Sequence, residues 1–128
     1  MNALAWSLLL SALIAVEHPR TPQQAEAAFQ REGAVGVLQI RQCCLDDINR
    51  IYAEDHLTLA DCQSEVVSRW VAVQYLTYWG KHYQKATGKE PTAEVLARCW
   101  NGGPNGWQKQ ATVDYWHKVE KAMKETTR

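Results

Sequence analysis

Apolar residues open the chain at helical spacing. Leu4, Leu8, Leu9, Ala12, Leu13 and Val16 recur every three or four positions among alanines and leucines. That period predicts a helix over Ala3–Glu17. Pro19 ends it, because the residue before a proline is pushed out of the α region. The helix has a thin polar face, so burial on most sides is expected. Thr21-Pro22-Gln23-Gln24 reads as a helix start, with a Thr cap, proline at the first position and Gln three residues on. A short helix to Gln30 follows. Residues 33–40, with Gly33 and Gly36 among β-branched neighbours, break the period and predict a loop or short strand with close backbone approach. Leu45, Ile48, Ile51 and Tyr52 restart a helical stripe over residues 43–53. Asp46 and Asp47 are read there as acids favoured by the helix N-terminus. Thr58 and Asp61 are expected to cap a single turn. Ser64 then caps the longest helix, Glu65–Thr87, with Val66, Val67, Trp70, Val71, Gln74, Tyr78 and Lys81 as its stripe and Gly88 as its stop. Pro91-Thr92 opens another helix through Cys99. The run Asn101-Gly102-Gly103-Pro104-Asn105-Gly106 is a dense turn signal. Thr112 is expected to cap a last helix carrying Val113, Trp116, Val119 and Met123, which ends in a charged tail. The fold class expected is mostly α: one compact helical domain over residues 1–128, with one short loop or strand segment at residues 33–40.

Composition adds limits. A length of 128 residues fits one domain and can bury a core without disulfide or metal staples. Lys plus Arg and Asp plus Glu are 14 each. That balance argues against a general polyanion binder, so no nucleic-acid partner is expected. The six Trp and five Tyr serve a core or line ring-binding clefts. Cys43, Cys44, Cys62 and Cys99 show no C-x-x-C spacing, and His18, His56, His82 and His117 are scattered. No metal and no cofactor are expected from such a pattern. The cysteines read as buried, free, small hydrophobes, with a Cys62–Cys99 bridge as the alternative. The N-terminal run has no Lys or Arg before Arg20 and has Leu13 where a signal peptidase wants a small residue, so a core helix is expected rather than a signal peptide. It is also too short to span a bilayer comfortably, so no stable membrane insertion is expected. The expected state is a monomer.

Candidate chemistry starts at Glu17, a carboxyl closing an apolar helix. Desolvation there favours the protonated form, which can donate to a leaving oxygen. The plainer alternative is an ordinary surface Glu where the helix emerges. Glu32 precedes the small-residue segment and would supply a second carboxylate for glycoside hydrolysis, or be a solvated charge beside Arg31. Gln39 lies between Leu38 and Ile40; alternation would turn it away from them, to a cleft or to solvent. The 101–106 run brings backbone amides against a ligand or simply connects two helices.

These residues carry a resemblance. Glu17, then Glu32-Gly-Ala-Val-Gly-Val-Leu-Gln39-Ile40, then Asp47-Ile-Asn49-Arg50-Ile51 resembles bacterial and phage members of the lysozyme-like superfamily, which pair a Glu with A-V-G-x-x-Q-I and D-x-N-R-I segments. Residues 97–106, Ala-Arg-Cys-Trp-Asn-Gly-Gly-Pro-Asn-Gly, with Tyr115-Trp116-His117-Lys118-Val119, resemble the A-R-I-x-N-G-G-P-x-G…Y-W-x-K-V signature shared with invertebrate-type lysozymes. The matches run from about residue 9 to residue 119. The resemblance implies a mostly α fold of the α+β lysozyme type. It implies a peptidoglycan substrate, cleaved at the β-1,4 bond between N-acetylmuramic acid and N-acetylglucosamine outside the cytoplasm. Glu17 takes the general-acid position and Glu32 lies near a second carboxylate. Gln39 matches a glycan-facing Gln; Tyr75, Tyr78, Asn101, Gly102 and Gly103 are substrate-binding by analogy. Relatives that form 1,6-anhydro products with a single Glu, and a non-catalytic glycan-binding module, are the alternatives. His18-Pro19 stands where many relatives carry Ser-Gly, and the disulfide-dense pattern of the animal enzymes is absent.

Overall fold

The computed structural model describes residues 1–52 and 56–127. It is mostly helical: α1 Ala3–Glu17, α2 Pro22–Glu32, α3 Gln42–Ile51, α4 Glu65–Thr87, α5 Ala93–Gly102 and α6 Val113–Thr126, with 3-10 turns at Ala60–Gln63, Gly106–Gln108 and Gln110–Thr112. Among the described residues there is no strand, and one isolated antiparallel bridge joins Val35 to Ile40. No helix among them is long and apolar enough to cross a membrane. The chain packs as two compact units, residues 17–75 and residues 1–16 with 76–128.

In residues 17–75, local chemistry sets each boundary. The Thr21 hydroxyl accepts from the Gln24 amide at 3.1 Å, and the Gln24 side chain accepts from the Arg20 amide at 2.9 Å. This closes the α2 start. α2 runs two residues past its expected end, to Glu32, and stops at Gly33, whose φ of 65° is left-handed. Residues 35–40 form a tight turn, with Val35 and Ile40 exchanging backbone bonds of 2.9 Å. α3 begins at Gln42, with no acid in its first turn. Asp46 and Asp47 therefore lie beyond the helix N-terminus; Asp46 accepts from Gln42 and Asp47 pairs with Arg50 at 3.2 Å. The expected last residue of that helix, Ala53, lies outside the described residues. Thr58 and Asp61 cap the 3-10 turn as expected, with the Thr58 amide 2.8 Å from the Asp61 carboxylate. Ala28, Ala34, Val35, Leu38, Ile40, Leu45, Ile48, Cys62, Val71, Ala72 and Tyr75 are buried here. A fully buried Leu or Ile stabilises the fold by roughly 1.5–3 kcal/mol.

The stripe of α4 differs from expectation. Its buried positions are Ser68, Val71, Ala72, Tyr75 and Leu76, with Gly80 continuing the period, whereas Val66 is 79% exposed and Trp70 is 37% exposed. Ser68 earns its place through its hydroxyl, which donates to the Cys62 carbonyl at 2.8 Å.

In residues 1–16 and 76–128, α1 buries Leu9, Leu10, Ala12 and Leu13 but leaves Leu4 68% exposed, so it is less enclosed than its composition implied. Gly80 lets α4 approach the next helix: a Cβ there would lie 3.3 Å from both Leu96 Cδ2 and Pro91 Cγ. Thr92 caps α5, accepting from the Val95 amide at 3.2 Å. α5 packs against α6 and the 3-10 turn at Gly106–Gln108. It also extends through Asn101 and Gly102, so the expected turn at 101–106 starts only at Gly103. Thr112 makes no side-chain cap for α6; it is buried, 1% exposed.

Candidate functional site

Glu17 is the last residue of α1 and is half-buried. α1 has no basic residue in its last turn. The negative pole of the helix lies at this carboxyl. Glu32 is the last residue of α2; its side chain is 45% exposed and lies 3.7 Å from the Arg31 guanidinium. An ion pair that exposed contributes at most about 1 kcal/mol, so the carboxylate is free to change partner.

Gln39 does not lie on a strand. Its φ of 53° is left-handed, and its amide Nε2 donates to the Gly36 carbonyl at 2.9 Å, beside its own backbone N–H at 3.1 Å. The side chain is thus curled over the turn and holds it shut. Gly36 is required there: its φ is 81°, and a Cβ would fall 2.1 Å from the Cys62 carbonyl oxygen. The 35–40 turn is thus closed by Gln39 and set against the Cys62 carbonyl at Gly36.

Tyr75 is buried, at 7% exposure. Tyr78 is half-buried and packs edge-on to Trp79, with ring centroids 4.9 Å apart, and against His82 at 4.9 Å. Asn101 and Gly102 end α5, and Gly103 leaves it with a φ of 86°. Asn101 and Asn105 are exposed, while Gly106 is buried. Trp107 follows, edge-on to Tyr83 at 4.9 Å. Asn101, Gly102 and Gly103 are thus brought together by one helix end.

Two residues quoted within motifs have roles that the sequence did not assign. Asn49 grips the backbone of Leu57 in both directions, donating to its carbonyl and accepting from its amide at 2.9 Å each. Arg98 gathers the chain after α5. For either, the sequence showed a polar side chain on a helix within a quoted motif and nothing of its partners.

The four cysteines are free. Cys62 and Cys99 are buried without a bridge, Cys44 is half-buried, and Cys43 is exposed rather than buried as expected. Burial pushes the Cys62 thiol up to about 11, with the Asp61 carboxylate adding to the rise. Burial raises Cys44 and Cys99 as well. Thiols so raised are neutral and poor nucleophiles. No group of three His, Cys, Asp or Glu side chains among the described residues could hold a metal ion.

No protein-family model matches the chain, and no solved structure matches it. Invertebrate-type lysozyme 6 of Caenorhabditis elegans is 32% identical to it over 60 residues, covering 46% of this chain and 42% of that protein. The chain therefore spans less than half the length of that relative.

Proposed function

We propose that the chain is a peptidoglycan-cleaving glycosidase of the lysozyme type, with Glu17 as its general acid. The observation that carries this reading is the partial similarity to an invertebrate-type lysozyme, taken with a half-buried carboxyl at the end of an apolar helix. In this reading Glu17 protonates the glycosidic oxygen between N-acetylmuramic acid and N-acetylglucosamine as the bond breaks. The sugar passes through an oxocarbenium-like state, which a carboxylate stabilises. Glu32 is the candidate for that role, being exposed and held only by a weak pair with Arg31. Gln39, Tyr75, Tyr78, Asn101, Gly102 and Gly103 are proposed glycan contacts. For Gln39 and Tyr75 the contact is made by the surface they shape, since one is bonded to the Gly36 carbonyl and the other is buried.

Mass spectrometry of soluble products from purified peptidoglycan tests the reading, with wild type and Glu17→Gln run in parallel. Wild type is expected to release muropeptides with ordinary reducing ends, and Glu17→Gln none. Anhydro ends, lighter by one water, would replace hydrolysis by transglycosylation and remove the role of Glu32. Binding to insoluble peptidoglycan without release would make the chain a glycan-binding module.

A further inference from the structure

A dense polar network lies under the backbone that follows α5. Arg98 projects from α5 with its side chain only 14% exposed. Each of its three nitrogens has a different partner. Nη1 donates to the Glu94 carboxylate at 2.9 Å, Nε to the Thr112 hydroxyl at 2.8 Å, and Nη2 to the Lys109 carbonyl at 2.9 Å. The Thr112 hydroxyl, while accepting from Arg98, lies 2.7 Å from the Gly106 carbonyl and 2.9 Å from that of Lys109, and its single proton serves one of them. Lys109 returns the connection, its Nζ donating to the Gly102 carbonyl at 2.7 Å.

Both flanking glycines are needed for this closeness. A Cβ at Gly106 would fall 2.1 Å from the Arg98 carbonyl oxygen, and one at Gly102 would fall 2.5 Å from Thr112 Cγ2. These two glycines are thus explained by contact with Arg98 and Thr112, whereas a Cβ at Gly103 would meet nothing within 4 Å. The backbone is stitched down at 102, 106 and 109, and Asn101 and Asn105 stand exposed around it.

We propose that Arg98, acting through Thr112 and Lys109, is the positioning residue that sets the shape of the 101–106 segment for glycan binding. The inference rests on the reading of that segment as a glycan contact. The role suits a guanidinium: its planar fork serves three partners in fixed directions, which a lysine ammonium cannot reproduce. The exposed Asn side chains and Gly103 then meet the sugar with no reorganisation of the backbone beneath them.

The test is steady-state kinetics and equilibrium binding on soluble peptidoglycan fragments for wild type, Arg98→Lys, Thr112→Val and Lys109→Met. Arg98→Lys and Thr112→Val are expected to raise KM and the dissociation constant about ten-fold with kcat within about two-fold, because positioning is lost while the acid is untouched. Lys109→Met, at an exposed position, is expected to raise KM about two- to three-fold by freeing Gly102. A purely stabilising role would lower the melting temperature and leave KM unchanged in the folded variants, and that result overturns the inference. Should Arg98→Lys and Thr112→Val fail to fold, Lys109→Met decides, and an unchanged KM overturns it. A wild type that neither binds nor cleaves glycan overturns the functional reading itself, and this inference with it.

Discussion

Replacing Gly36 by alanine separates two costs that glycines usually mix, because Gly33 provides the control three residues earlier. Both glycines are left-handed, with φ of 81° and 65°. At Gly33 an added Cβ meets nothing within 4 Å. Alanine there costs only the left-handed conformation, about 1–2 kcal/mol, offset by roughly 0.4–1 kcal/mol from a stiffer unfolded chain. The net loss is about 1 kcal/mol. At Gly36 the same terms apply, but the Cβ would lie 2.1 Å from the Cys62 carbonyl oxygen. That neighbour is backbone and cannot rotate away, so residues around Cys62 must move. Overpacking of this kind adds about 1–3 kcal/mol. Moving the carbonyl also strains the Ser68 hydrogen bond, 2.8 Å and buried, a further loss of up to about 1 kcal/mol. Gly36→Ala should therefore be less stable than Gly33→Ala by about 2 kcal/mol. Urea unfolding of both variants measures the gap, as a shift in midpoint at constant slope. A gap under about 0.5 kcal/mol, within the range of neutral surface substitutions, would refute the reasoning: the Cys62 segment would then be yielding and the 35–40 turn not held against it.

Asn49→Ala should cost about 2 kcal/mol in the same urea assay, since it strips the partners from both the Leu57 amide and carbonyl; a loss under about 0.5 kcal/mol would contradict that role. Stability should decline as pH rises from 9 towards 11, because the folded chain keeps the Cys62 proton up to about 11 while the unfolded thiol loses it near its ordinary value of 9.0. The unfolded state then binds fewer protons, so the slope of unfolding free energy with pH is negative. Cys62→Ala should flatten that slope, and an unchanged slope would contradict the assignment. A disulfide reagent at neutral pH should modify Cys43, the exposed thiol, in the folded protein, with Cys62 and Cys99 reacting only on unfolding; one-to-one labelling, mapped by peptide mass, checks this.

What the sequence disclosed and what it hid divide along one physical line. Several helix ends were legible from local signals in the chain. Pro19 ends α1, Thr21 and Pro22 open α2, and α4 runs Glu65–Thr87 as its Ser64 and Gly88 signals required. For the candidate site, this made the position of Glu17 at a helix end readable. The buried face of α4 was not, because it is marked by closeness rather than by oiliness. Ser68, Ala72 and Gly80 occupy it, and a hydrophobic count passes over all three in favour of Val66 and Trp70, which face outward. Thr112 was misread for a related reason. A threonine before a helix with an acid in the first turn looks like a cap, yet its partner Arg98 is 14 residues away. Gln39 followed the alternation of a strand on paper, but a left-handed φ curls it onto Gly36, a conformation uncommon outside glycine that no residue type announces. For Ser68 and Gln39 the deciding partner is backbone, the carbonyls of Cys62 and Gly36, and the Gly36 and Gly106 positions are likewise set by the carbonyls of Cys62 and Arg98. Backbone carries no letter in a sequence. The segments proposed to contact glycan are therefore ones whose shape the letters describe poorly, and the Arg98 and Gly36 substitutions probe that shape directly.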